Sequence, residues 1–153
     1  MGSSPAFVPP GFEPPPGLVS EAFVLEPLGP HHNEADYAAW TSSMTYIHRL
    51  PGFEGQAWPH EMSLEANRED LEGHARDFEQ RSGFTYTVLD PVDGDVIGCV
   101  YVYPARDGSG HDASVRSWVR ADRAPLDGLL WQAVSDWLRR DWPFANVVYA
   151  SRR

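Results

Sequence analysis

Between residues 84 and 120 the chain offers three strand-forming runs in succession, FTYTVLD, DVIGCVYVYP and HDASVRSWVR, separated by the turn sequences PVDG and RDGSG. The runs are rich in β-branched and aromatic residues, and the connections hold the glycine, proline and aspartate that tight turns require. Links this short join strands antiparallel, because a parallel pair needs a crossover of about a dozen residues or more. The block therefore commits the middle of the chain to an antiparallel sheet. Its apolar faces must be covered by what lies on either side.

What lies on either side is helical. NEADYAAWTSSMTYIHRL places Tyr37, Trp40, Met44 and Ile47 at helical spacing behind the N-cap candidate Asn33. A second helix is expected from Ser63 to just before Gly83, with Leu64, Leu71, Ala75 and Phe78 as its apolar stripe and a charged remainder facing solvent. A third starts near Leu126 and carries a broad apolar face through Leu138. Short strands are expected in AFVLEPL and NVVYA. The order strand, helix, helix, three strands, helix, strand is an α+β pattern: a mixed, mostly antiparallel central sheet with helices on both faces. Residues 1–21, rich in proline and glycine, read as an extended arm outside the core, and residues 22–153 as one domain.

Composition excludes several classes of function. All twelve basic residues are arginine, which removes both a Schiff-base lysine and the phosphate-binding lysine of nucleotide-hydrolysing loops. Residues 1–99 hold four arginines against sixteen acids, a balance of −12, whereas residues 100–153 balance at +2. That distribution disfavours nucleic acid and anionic membranes as partners and directs an anionic ligand to the C-terminal third. No apolar run reaches the ~18 residues of a membrane span, and the N-terminus lacks a secretory pattern, so the expected compartment is the cytoplasm. The single cysteine, Cys99, lies in a strand run and reads as a buried thiol. No metal site is expected: the histidines are scattered, and the adjacent His31 and His32 would diverge on a regular helix or strand.

The stretch SWVRADRAPLDGLLWQAVSDWL, together with the element order, resembles the GNAT-type N-acetyltransferases. The GCVYVYP…SWVRADRA texture resembles small actinobacterial members of that superfamily, and the likeness covers residues 22 to 150. It implies acetyl-CoA or a related thioester as co-substrate. Backbone groups of Trp118 and Val119 would bind the pantetheine arm as an added strand does, and Arg116, Arg120 and Arg123 would serve as phosphate partners. The family's pyrophosphate loop, Q/R-x-x-G-x-G/A, falls on Arg123-Ala-Pro-Leu126-Asp-Gly128, so the arginine and last glycine match while Leu126 replaces the central glycine. Helix N-terminal amides attract phosphates, and glycine lets them approach closely. Leu126 must turn its side chain into the core to leave room, and Asp127 competes with phosphate for the same amides. The family's tyrosine that protonates the departing thiolate belongs to a helix beyond NVVYA, and these 153 residues offer no counterpart.

Transfer to an amine needs a base and a polarised carbonyl. Asp112 and Tyr101 are the candidate acid–base groups; equally, Asp112 reads as a cap on the turn DGSGH, and Tyr101 as a pocket wall. The loop PGFEGQAWPHEM supplies Phe53, Trp58, His60 and Glu61 as candidate contacts to a small-molecule amine. A non-catalytic module of the same fold, binding a small molecule or a protein, is the alternative, and filling of the groove between the third strand of the block and the last strand would favour it. An open sheet edge and the apolar residues of the arm also suit a homodimer.

Overall fold

The computed structural model describes residues 6–152. They form a six-stranded sheet in sequential order: β1 (Leu18–Val19), β2 (Val24–Pro27), β3 (Phe84–Leu89), β4 (Val96–Pro104), β5 (Ala113–Val119) and β6 (Val147–Tyr149). All neighbours are antiparallel except β5 and β6, which are parallel. One face carries α1 (Asn33–Thr41), α2 (Met44–Arg49) and α3 (Leu64–Glu79); the other carries α4 (Asp127–Asp141). The architecture is the mixed α+β sheet with helices on both faces expected from the sequence.

Alternation along the strands divides the core in two. Phe84, Tyr86, Val88, Val100, Val102 and Val115 pack with Leu130, Val134 and Trp137 of α4. Cys99 and Trp118 point the other way, into Trp40, Ile47, Leu50 and Leu71. Gly98 is required at the β4–β5 crossing, because a Cβ there would lie 2.3 Å from the Trp118 carbonyl oxygen.

Two local readings are corrected, at the first helical run and in the N-terminal arm. The run expected as one helix breaks at Ser42–Ser43: the Ser42 hydroxyl donates to the Ala39 carbonyl at 2.8 Å, and Ser43 Oγ accepts the Ala121 amide at 2.8 Å. Serines that bond the backbone in this way compete with helix continuation. The α4 helix is preceded by a 3-10 turn over Ala121–Leu126, where Pro125 removes a donor. The described part of the Pro/Gly-rich arm is extended, but it belongs to the core rather than lying outside it. Val8 is 2% exposed, Phe7 stacks on Phe84 and Phe144, and Phe12 meets Trp142. The Tyr86 hydroxyl donates to the Pro15 carbonyl at 2.6 Å. Proline pre-extends the segment and lowers the entropy cost of laying these side chains over the end of α4.

Candidate active site

The helix-bearing face holds a cavity of about 470 Å³ between α3 and the strands β4 and β5. Its floor is Tyr101 and Tyr103, the exposed Arg116 stands at its mouth, and Phe53 and Trp58 of the loop after α2 close one side. The helices contribute Asp36, Asn67, Asp70, His74 and Asp77.

The floor is fixed from beneath. Trp118, fully buried, donates its indole N–H to the Tyr101 hydroxyl at 2.9 Å. Burial and the neighbouring Cys99 raise the Tyr101 pKa well above that of a free phenol, so the hydroxyl stays protonated. Cys99 is buried and its thiol is likewise held protonated by desolvation, which makes it inert as a nucleophile.

On α3, His74 faces the floor. Its Nδ1 lies 2.8 Å from the Tyr103 hydroxyl and 3.1 Å from Thr85 Oγ1, and Tyr103 donates onward to Asp77 Oδ2 at 2.8 Å. Since the Tyr103 proton is committed to Asp77, its oxygen accepts, and Nδ1 of His74 carries the proton. Desolvation lowers the His74 pKa, against the opposing charges of Asp77 and Asp70. The neutral imidazole that results has an unprotonated Nε2, without a partner among the described residues, on the cavity wall. Nearer α1, Asp36 is buried and accepts from Asn67 at 3.1 Å; desolvation pushes its pKa up to about 6. Asn67 also accepts the Trp40 indole N–H at 3.0 Å, so the network is anchored in the core.

Arg116 enters from β5 with its guanidinium 5.5 Å from the centre of the Phe53 ring. Gly52, at φ +95°, turns the chain so that Phe53 can take that place, and a Cβ on it would come within 3.2 Å of Arg116 Cγ.

Several candidates from the sequence lie elsewhere. His60 and Glu61 are exposed and do not line the cavity; His60 Nδ1 meets the Glu61 carbonyl instead. Asp112 sits at the far end of β5, where Oδ2 accepts the amides of Ala145 and Asn146 at 2.7 and 3.0 Å. Those bonds hold its carboxyl below the usual range, so it caps the approach to β6 and is a poor base. Phe53, Trp58 and Tyr101 are brought together.

The expected thioester site lies at the outer edge of β5. Pairing with β6 stops at Val115–Tyr149, where β6 ends, and leaves a wedge beside the rest of β5. The wedge is bridged by side chains: Ser117 Oγ and the Tyr149 hydroxyl are 2.6 Å apart, and Arg152 donates to the Ser117 carbonyl and to Asp127 Oδ2 at 2.8 and 2.9 Å. Asp127 thus turns inward onto Arg152 rather than onto the helix amides. Leu126 packs against the α4 core, as does Val119, and open space lies above Gly128. Arg120 pairs with Asp122, and Arg123 with Asp90.

One grouping was unexpected. His31 and His32 fall in a 3-10 turn rather than a regular element, so their rings lie 3.8 Å apart, tilted by 40°, beside Glu26. The cluster does not suit a metal. His32 Nδ1 accepts the Gly29 amide at 3.0 Å, which puts the ring proton on Nε2, where it faces Glu26 at 2.8 Å and occupies the ligating position.

No family model and no curated protein matches the sequence. Solved structures do match the fold. A protein described as a GnaT-family acetyltransferase from Bordetella pertussis is 16% identical, with a TM-score of 0.60 over 87% of this chain and 77% of that one. The ribosomal-protein-S5-alanine acetyltransferase of Vibrio fischeri is 15% identical, with a TM-score of 0.59 over 80% of this chain and 66% of its own length. The microcin C7 self-immunity acetyltransferase MccE, in complex with acetyl-CoA and AMP, is 15% identical, with a TM-score of 0.62 over 82% of this chain and 66% of its own. The fold is that of the GNAT acetyltransferases. No helix among the described residues is long and apolar enough to cross a membrane.

The sequence reading missed Asp36, Asn67, Asp70, His74 and Asp77. A signal was present: Asn67, Asp70, His74 and Asp77 recur at helical spacing, beside the apolar stripe rather than opposite it.

Proposed function

We propose that this chain is an acyltransferase, moving an acetyl or related acyl group from a CoA thioester to a small-molecule amine held in the α3–β4–β5 cavity. The observation that carries this reading is the double role of β5. Its outer edge is freed from β6 beyond Val115, while its face bears Arg116 and stands on Trp118 at the cavity floor. A thioester laid along the edge and an amine in the cavity would meet across a single strand.

The chemistry divides accordingly. The bound ammonium gives a proton to Nε2 of His74, and the resulting imidazolium is stabilised through Tyr103 by Asp77. The free amine attacks the thioester carbonyl, the C–S bond breaks, and the nitrogen passes its second proton to the departing thiolate, which leaves as the CoA thiol. Tyr101 shapes the floor, its hydroxyl being held by Trp118. Asp127, neutralised by Arg152, no longer opposes phosphate at the start of α4, and Gly128 leaves room above the helix amides.

Calorimetric titration with acetyl-CoA tests the reading. Saturable binding that is lost in Gly128→Trp is the expected result. No binding by the unmodified protein would overturn transfer and favour the second reading, a binding module, for which the bridging of the wedge by Arg152 is the specific support.

A further inference from the structure

The cavity has a feature that transfer to an amine does not require. An acceptor amine needs acids and a base around its nitrogen, yet a cation, the exposed Arg116, stands at the mouth of the cavity. Arg116 is the arginine that lines the cavity, and like Arg49, Arg68, Arg76, Arg81 and Arg106 it has no acid paired to it among the described residues, whereas the other described arginines each pair with an aspartate. Its position is built: the guanidinium lies over Phe53, and its stem packs against Gly52 at a turn that no side chain fits without strain. The helices lining the cavity add the exposed Asp70 and the buried Asp36, which accepts from Asn67, while Asp77 is occupied by Tyr103.

We propose that the acceptor is a zwitterion of amino-acid type. Its carboxylate pairs with Arg116, its ammonium turns toward Asp70, Asp36 and His74, and an aromatic body lies among Phe53, Trp58 and Tyr101. The inference rests on the reading that the acceptor occupies this cavity. A simple cation would leave Arg116 as a repulsive neighbour, and a simple anion would face the acids; only a molecule with both charges satisfies both walls. A cavity of about 470 Å³ suits a ligand of that size.

Calorimetry without any thioester tests this, using L-phenylalanine, phenethylamine and 3-phenylpropionate as probes, with circular dichroism to confirm that variants fold. L-phenylalanine is expected to bind at least about tenfold more tightly than either half-charged probe, the range set by one charge-assisted contact. In Arg116→Gln, L-phenylalanine should weaken by about tenfold while phenethylamine, freed of the repulsion, binds more tightly. Equal binding of L-phenylalanine and phenethylamine, unchanged L-phenylalanine affinity in Arg116→Gln, or no binding of any probe would overturn the proposal. Because no thioester is present, failure of acetyl-CoA to bind in its own titration would sink the transfer reaction and leave this result untouched.

Discussion

Asp36 offers a direct measure of how dry the helix side of the cavity is. Its carboxyl is 4% exposed and titrates near 6 rather than at its ordinary 3.8, chiefly through burial, with Asp70 adding repulsion and the Asn67 hydrogen bond opposing it. Since the folded value is the higher one, the stabilisation belongs to the protonated form. It is complete below the unfolded value of 3.8 and is lost as pH rises through about 6. Linkage puts the loss at about 1 kcal/mol by pH ~4.5 and about 3 kcal/mol by pH ~7.5. Asp36→Asn keeps an oxygen to accept from Asn67 and removes the titration. The stability difference, variant minus wild type, should therefore grow by about 2 kcal/mol across that interval, roughly 1 M in urea midpoint at a typical slope. Urea unfolding followed by tryptophan fluorescence at the two pH values measures it, and taking the difference cancels every other titrating group. A difference that stays constant or shrinks with pH would refute the argument, because it would mean Asp36 is hydrated and ordinary.

Two further outcomes follow from the packing. Removing residues 1–12 strips Phe7, Val8 and Phe12 from the core and should cost about 4 kcal/mol, seen as a large drop in Tm; a change below about 1 kcal/mol would mean the arm does not rest on its own body. Arg152→Ala should destabilise by about 3–5 kcal/mol and abolish acetyl-CoA binding, whereas tighter binding in that variant would make Arg152 a plug rather than a support.

The sheet was legible because its signal is local: β-branched runs and tight turns specify hairpins without reference to the rest of the chain. The same is true of α3, whose Ser63 cap and apolar spacing mark its limits. What failed were readings that depend on tertiary partners. Ser42 and Ser43 sit in a good helical pattern, and only the approach of Ala121 to Ser43 adds a reason for the break. The arm's composition describes its backbone correctly and misses that three apolar side chains find a place on Trp142 and Phe84. At the site, the aromatic loop pointed to Phe53 and Trp58 from composition alone. His74 was hidden because a charged helix face looks alike whether it meets water or a cavity, and only the register of α3 over β3 and β4 distinguishes them.

The expectation for Arg152 turns on which ion pairs a phosphate can displace. Arg120 pairs with the exposed Asp122 and also donates to the Val96 carbonyl, and Arg123 pairs with the half-buried Asp90. A diphosphate would draw those guanidinium groups away from their aspartates and gain charge-assisted bonds in return. Arg152 is different: its side chain is 3% exposed, it is the partner of a buried carboxylate, and it also satisfies the Ser117 carbonyl. Taking it away would leave Asp127 charged and unpaired in the first turn of α4, where a phosphate would have to approach that same charge. The wedge between β5 and β6 is therefore held by Arg152, whereas Arg120 and Arg123 lie on the β4 side of β5, bonded to Val96 and Asp90. A thioester would have to pass over the Arg152–Asp127 pair without breaking it, and the pair is what keeps the helix N-terminus attractive to an anion despite the aspartate in the loop.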